Sequence, residues 1–220
     1  MLKNREEAGE LLANKLIGYS NNKDAVIVAI PRGALPIGAI IAQKLNVPLE
    51  IVLSKKIGHP LNKEFAIGTV TLKNYTLNDD VIGISDKYIK EEVKRIRVIL
   101  KKRHQLYYES KKPLSFKDKI IILIDDGVAT GSTLLSCIEL IQKKNPAEII
   151  IALPVASNSA YKKIKKNPFV NRLICLLIPQ RFNSVGQFYE KFNQVTDDEV
   201  VKLLNKANKD YRLNILKTQT

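Results

Sequence analysis

Two adjacent carboxylates, Asp125 and Asp126, stand between an apolar run and a loop of small and hydroxylic residues in the segment IIILIDDGVATGST, residues 120–133. Ionised carboxylates only accept hydrogen bonds, and the vicinal hydroxyls of a sugar offer two donors at a matching separation. The loop has the opposite preference. Gly127 and Gly131 allow the main chain to approach a ligand closely, Thr130, Ser132 and Thr133 add hydroxyl donors, and backbone N–H groups entering a helix favour an anion. A sugar phosphate satisfies both halves. The commoner phosphate motifs are missing: no Walker lysine follows Gly131, and no G-x-G-x-x-G follows the apolar run. A nucleoside triphosphatase and a dinucleotide oxidoreductase are therefore disfavoured. A strand followed by an Asx-rich turn and a plain helix cap is the ordinary alternative, and it leaves the coincidence of two acids with four small residues unexplained.

Two further segments carry charge to a turn. In AIPRGALPIGAIIAQKL, residues 29–45, a Pro31-Arg32-Gly33 turn precedes an apolar helical pattern. Gly33 permits an unusual backbone geometry, and Arg32 can make bidentate contacts to phosphate. Taken alone, the segment fits a charged turn residue at a strand end equally well. In LSKKIGHPLNKEFAIG, residues 53–68, Lys55 and Lys56 leave the second strand, where two ammonium groups would neutralise a departing anion. A solvated surface pair is the commoner fate of such lysines. His59 and His104 have no Ser, Cys or carboxylate in a triad relation, so solvated or capping roles are expected of both. One ring of the Tyr107-Tyr108 pair is expected inside and the other outside.

Residues 121–133 closely resemble the phosphoribosyl-pyrophosphate (PRPP) motif of the type I phosphoribosyltransferases: four apolar residues, two acids, three variable positions, then T-G-x-T. The resemblance implies that Gly127, Val128, Ala129, Thr130, Gly131, Ser132 and Thr133 grip a 5′-phosphate while Asp125 and Asp126 hold the ribose hydroxyls. It implies a pyrophosphate loop at Pro31, Arg32 and Gly33, similar to the S-R-G-G loop of bacterial xanthine-guanine enzymes and often carrying a non-proline cis peptide in that family. Arg32 with Lys55 or Lys56 would take the leaving pyrophosphate. Mg²⁺ would arrive bridged by pyrophosphate and ribose oxygens, at most touching Asp125 and Asp126 through water. The acceptor, a nitrogenous base or amine, would lie under a C-terminal hood offering Phe182, Val185 and Phe188, with Phe182 placed like the stacking tryptophan of xanthine-guanine enzymes. Ala129 departs from the aspartate of 6-oxopurine enzymes, and IALPVAS, residues 151–157, lacks their lysine, which puts hypoxanthine, guanine and xanthine in doubt. An Ala-Thr-Gly loop occurs in adenine enzymes, but one residue does not identify a substrate. The chain as a whole, through REEAG near the start and PQRFNSVGQFYEKFNQVTDDEV at 179–200, is similar to a group of bacterial phosphoribosyltransferase-domain proteins.

The elements that must position these residues alternate. Strands are expected at 25–30, 49–53, 120–124, 148–155 and 172–178, with helices at 36–45, 86–109, after 133, and at 158–166. The run 120–124 is apolar without alternation, as in a parallel strand buried on both faces. The expected fold is α/β: a three-layer parallel sheet of about five strands with crossover helices, a flap at 56–86 and a hood with a C-terminal helix at 179–220. No linker or repeat divides the 220 residues, so one domain is expected. The first sixteen residues are charged and amphipathic, unlike a signal peptide, and no apolar run has transmembrane length, so a cytoplasmic protein without membrane contact is expected. Cys137 and Cys175 lie in apolar surroundings and are expected to be buried, reduced thiols, and no metal-ligand cluster is visible.

The formal charge of +14 suits an anionic substrate and equally suits nucleic acid. Because the excess is mostly lysine spread along the chain, solvated faces are the preferred reading, with Lys111-Lys112 and KKIKK at 162–166 as local exceptions. The competing function is a PRPP- or nucleotide-sensing regulator that binds nucleic acid. It needs the cradle but not Arg32 and the lysine pair, and no helix-turn-helix precedes the core. A PRPP-dependent transferase is therefore preferred, and a homodimer is compatible with it.

Overall fold

The computed structural model describes all residues except 64, 79, 80, 82, 109–111 and 218–220. Five parallel strands form the main sheet: β1 (Ala25–Ala29), β2 (Leu49–Ile51), β6 (Ile120–Ile124), β7 (Glu148–Val155) and β8 (Arg172–Leu177), in the order β2-β1-β6-β7-β8. Alternation of side chains divides each central strand between two cores. Ile27, Ala29, Ile122, Ile124 and Ile150 face one layer, while Val26, Val28, Ile121, Leu123 and Ile151 face the other. Both layers are filled with apolar side chains, so these strands carry no polar face.

Helices α1 (Arg5–Lys15) and α2 (Leu35–Leu45) cover the first face together with α6 (Asp197–Lys217), and α4 (Ser132–Gln142) and α5 (Asn158–Lys165) cover the second. The chain between β2 and the long helix α3 (Asp86–Tyr108) forms an antiparallel sheet of β3 (Ser54–Gly58), β4 (Ala66–Thr71) and β5 (Tyr75–Leu77). A flap beginning at 56 was expected. It starts two residues earlier, because β2 ends at Ile51 and Lys55 and Lys56 already belong to the flap's first strand. This small sheet sits between α3 and α4. The final residue of the expected helix at 86–109, Lys111 of the basic pair and the last three residues of the hood lie outside the described residues. No described helix is long and apolar enough to cross a membrane.

Both tyrosines at the end of α3 are buried, which corrects the expectation of one ring outside. Each hydroxyl has a carboxylate acceptor: Tyr107 donates to Asp197, and Tyr108 donates to Glu50 on β2. A buried acceptor lets the polar tip follow the ring inward. Cys137 is buried and its thiol is pushed up to about 12 by desolvation, whereas Cys175, expected inside as well, is half-buried because β8 is an edge strand.

The other edge strand, β2, is capped by a side chain. Asn208 on α6 accepts from the Leu49 N–H at 3.1 Å and donates to the Leu49 carbonyl at 2.8 Å, as a neighbouring strand would. Asn208→Ala removes both partners from a buried residue and is expected to cost about 1–3 kcal/mol. The check is the midpoint of urea unfolding; an unmoved midpoint at constant slope would show that the edge does not depend on this amide.

Candidate functional site

Two loops and the first strand of the flap come together beyond the carboxyl ends of the parallel strands, where open α/β sheets bind ligands. The first is the turn after β6. Val128 bridges to the end of β7, with its N–H donating to the Val155 carbonyl at 2.9 Å and its own carbonyl accepting from Ser157 N–H at 2.9 Å. The Ser157 hydroxyl donates to the Ala129 carbonyl at 2.5 Å while its oxygen caps α5 through Ala160 N–H. The loop is thereby held from outside, which leaves Thr130 exposed and Ser132 and Thr133 half-buried at the start of α4. Gly131 has φ of 85°, a left-handed conformation that turns the chain into the helix. The N–H groups of the first helical turn have no intrahelical acceptor. Together with these hydroxyls they gather donors at one turn.

Asp125 and Asp126 precede this cradle. Asp125 Oδ1 accepts from the Asp126 N–H at 2.9 Å, and the Tyr189 hydroxyl donates to the Asp126 carbonyl at 2.7 Å. Burial first, and then the charge of Asp126, hold the Asp125 carboxyl well above the usual aspartate range. Burial also raises Asp126, but a cation opposes it. Arg5, in the first turn of α1, donates Nε and Nη2 to Asp126 Oδ2 at 3.0 and 2.8 Å, with the two side chains only 10% and 16% exposed. Its remaining amino group donates to the Asn193 carbonyl at 2.7 Å, and its guanidinium carbon lies 3.8 Å from the centre of the Phe192 ring. Sequence reading missed Arg5, because 121 residues separate it from its partner. Its only signal was an arginine in an otherwise acidic first turn.

The second loop is Pro31-Arg32-Gly33. The Pro31–Arg32 peptide is cis, as the family resemblance implied. Gly33 was expected to serve an unusual backbone angle, but the structure gives a different reason: a Cβ there would lie 1.9 Å from Asp126 Oδ2. Only a residue without a side chain lets the two loops touch. Arg32 Nη1 faces Asp197 Oδ2 at 3.7 Å, at the start of α6, and Arg103 Nε on α3 faces the other oxygen of the same carboxylate at 3.6 Å.

The third element is β3. Lys55 pairs across the flap with Val70 and Lys56 with Thr69, and paired residues share a face. Val70 packs into the core beside α3, whereas Thr69 accepts from Ser136 on α4 at 2.7 Å. The two lysines therefore point to opposite sides. Lys55 lies on the α3 side, and its ammonium pKa is lowered by desolvation and then by Arg103, Arg95, Lys56 and Arg32. It belongs to the same cationic group as Arg32.

The hood runs from β8 to α6. Its residues after the 3-10 turn pair with the amino-terminal segment: Leu2 N–H donates to the Phe188 carbonyl at 2.8 Å and Glu190 N–H to the Leu2 carbonyl at 2.8 Å. Phe182 and Phe188 are half-buried, with ring centres 5.1 Å apart and planes tilted by 42°. Val185 opens a 3-10 turn at Val185–Phe188 and presses on Gly127, where its Cγ1 lies 2.4 Å from the place of a Cβ. A cavity of about 280 Å³ adjoins Phe188 and the chain after β8, lined also by Leu177 and Pro179. His59 accepts from Leu61 N–H at 3.1 Å in its own turn, and His104 stacks near Tyr108. Among the described residues, no three His, Cys, Asp or Glu side chains converge as metal ligands.

Residues 2–185 match the family model of the phosphoribosyl transferase domain. A Mycobacterium tuberculosis protein provisionally named a phosphoribosyl transferase is 29% identical over 211 residues, 94% of this chain and 47% of that one. The chain thus spans about half the length of that relative. A uracil phosphoribosyltransferase of Mycoplasma genitalium is 26% identical over 121 residues, covering 55% of this chain and 58% of that protein. The crystal structure of a Thermus thermophilus protein superimposes with a TM-score of 0.79 at 31% identity, over 93% of this chain and 98% of that one.

Two outcomes follow from the acid pair. Removing Arg5 leaves a largely buried carboxylate uncompensated, so Arg5→Ala is expected to cost about 3–5 kcal/mol, much of it recovered in Arg5→Met with Asp126→Asn. Chemical denaturation of the three proteins measures this, and equal losses in the single and double variants would contradict it. The second outcome concerns pH. Because the folded-state pKa of Asp125 is raised, its contribution to stability is complete below the ordinary aspartate range and is lost as pH rises through the raised value. Asp125→Asn keeps the acceptor for the Asp126 N–H and removes the charge. Its Tm relative to wild type is expected to increase from about pH 4 to about pH 8, and a difference flat in pH would oppose a raised Asp125.

Proposed function

We propose, from the premise that the chain belongs to the phosphoribosyl transferase domain family, that it transfers the phosphoribosyl group of PRPP to a nitrogenous base or amine, with release of pyrophosphate. The observation that supports this reading is the contact between Gly33 and Asp126, because it sets the Arg32 turn against the carboxylate pair that precedes residues 127–133, where an arginine, two acids and a donor-rich turn would suit a phosphorylated sugar. No simple phosphate site needs all three. The cradle at 127–133 would bind the 5′-phosphate through backbone N–H groups and the hydroxyls of Thr130, Ser132 and Thr133. Asp125 and Asp126 would accept hydrogen bonds from the ribose hydroxyls. Arg5 engages one oxygen of Asp126 and the Asp126 N–H one oxygen of Asp125, so the hydroxyls would be shared among the remaining lone pairs of the two carboxyls.

At C1 the bond to pyrophosphate weakens as the ring gains oxocarbenium character, and charge builds on the leaving oxygens. Arg32 and Lys55, on the same side of the flap sheet, would stabilise that charge. Lys55 is the better placed of the two flap lysines, since Lys56 faces α4. Mg²⁺ fits this arrangement as a substrate-borne ion. Arg5 compensates one of the two acids, so the pair offers a dication about one net charge rather than a cage, and contact through water suits an ion that keeps its hydration shell. When bound it would supply further neutralisation of the pyrophosphate. The acceptor would approach beneath the hood, with Phe182, Val185 and Phe188 as its apolar wall: Val185 lies against Gly127, and the half-buried Phe182 ring, beside Phe188, would offer a stacking surface.

The test is to incubate the protein with PRPP, Mg²⁺ and a panel of uracil, the purine bases and ammonia, and to follow pyrophosphate release. Wild type is expected to release pyrophosphate with at least one acceptor, and Asp125→Asn with Asp126→Asn to lose PRPP binding. Lys55→Ala is expected to lower the rate by about a hundredfold while ribose 5-phosphate still binds. PRPP binding retained by the double acid variant would remove the ribose role from Asp125 and Asp126.

A further inference from the structure

Away from this site, a cavity of about 610 Å³ opens beside the edge strand β2, between the last turn of α3 and the outer half of α6. Its lining includes Lys23 and Val26 at the start of β1, the end of the strand opposite to Arg32, and none of residues 31–33, 55–56 or 125–133. The volume is that of a small-molecule site. Apolar and aromatic groups form its body, among them Tyr107, Tyr108, Leu114 and Leu204. Cations surround it: Lys23, Lys112, Lys119, Lys209 and Arg212. Of these only Lys119 has an acidic partner among the described residues, Asp24 at 2.6 Å.

Glu50 is the one acidic residue in the lining, and it does not oppose an anion there. Its Oε1 accepts from the Tyr108 hydroxyl and from Ile51 N–H, and its Oε2 accepts from Leu114 N–H at 2.8 Å. Burial raises its pKa and so favours the neutral form. Glu50 thus ties α3 and the segment before β6 to the edge strand and keeps the walls in place.

We propose that this cavity binds a phosphorylated small molecule of nucleotide size, its planar or apolar body against the tyrosine and leucine walls and its phosphate among Lys23, Lys112, Lys209 and Arg212. Four exposed cations with no acidic partner among the described residues stand around one preformed cavity and give it a positive field that favours an anion, and the apolar walls match a planar body rather than inorganic phosphate alone. Occupancy also has a path to the transfer site. The Tyr107 ring lines the cavity while its hydroxyl donates to Asp197, and Asp197 faces Arg32 at 3.7 Å and Arg103 at 3.6 Å. A ligand that displaces the Tyr107 ring therefore alters the carboxylate that competes with pyrophosphate for Arg32. The binding stands without the transferase reading; the coupling to PRPP rests on it.

The probes are AMP, GMP, CMP and UMP, titrated calorimetrically into wild type, Lys209→Glu with Arg212→Glu, and Asp125→Asn with Asp126→Asn. Lys209 and Arg212 are exposed, so their variant keeps the fold, which its Tm verifies. At least one nucleotide is expected to bind the acid-pair variant as it binds the cavity of wild type, and to bind the charge-reversed variant there at least about tenfold more weakly. Binding lost in the acid-pair variant and unchanged on charge reversal belongs to the transfer site and overturns the proposal, as does the absence of binding by all four. PRPP affinity is then measured with and without the nucleotide. A change of about fivefold or more in wild type, abolished in Tyr107→Phe, is expected. A PRPP affinity unmoved by nucleotide overturns the coupling alone, whereas failure of PRPP to bind at all counts against the transferase reading and leaves the cavity result standing.

Discussion

Two carboxylates side by side at the end of a strand buried on both faces are costly, because desolvation and mutual repulsion both oppose ionisation. Much of the architecture around residues 125–133 answers that cost. Arg5 supplies the opposing charge, and it can do so only if α1 begins at the ligand edge of the sheet. The hood fixes α1 there, through the pairing of residues 2 and 3 with 188–191 and through the packing of Phe192 on the arginine. Gly33 is the complementary concession on the other side, an absent side chain that makes room for the Asp126 carboxylate. The amino-terminal helix and the carboxyl-terminal hood are thus parts of the site, although neither supplies a residue of the PRPP-like motif.

The cations obey the same rule in reverse. Burial first, and then the charges of Arg103, Arg95, Lys56 and Arg32, lower the affinity of Lys55 for its proton, and two acids restrain the group: Glu92 holds Arg95, and Asp197 is shared by Arg32 and Arg103. Such a cluster is under-neutralised, a condition that favours a polyanion. Asp197 has a second connection, to Tyr107, and through it to the interior between α3 and α6. One carboxylate therefore links the strand-end loop, the helix following the flap and the carboxyl-terminal helix.

Sequence by itself determined the elements whose signals are local. Apolar runs without alternation predict strands buried on two faces, and β1, β6 and β7 are such strands. The glycines and hydroxyls after the acid pair predict a turn from β6 into a helix, and Gly131 and α4 form it, because such a turn depends on residue type and on a few neighbouring positions. The excursion after β2 shows as a stretch without helical period, and three short strands occupy it. Tertiary structure alone decided the rest, since those properties depend on partners far along the chain. Arg5 acquires its role from Asp126, Tyr107 and Tyr108 are drawn inward by Asp197 and Glu50, and Gly33 is explained by a carboxylate rather than by a backbone angle. Lys55 and Lys56 are alike as a dipeptide, and pairing with β4 sends one to the cationic group and the other to α4, because neighbours along a strand point to opposite faces.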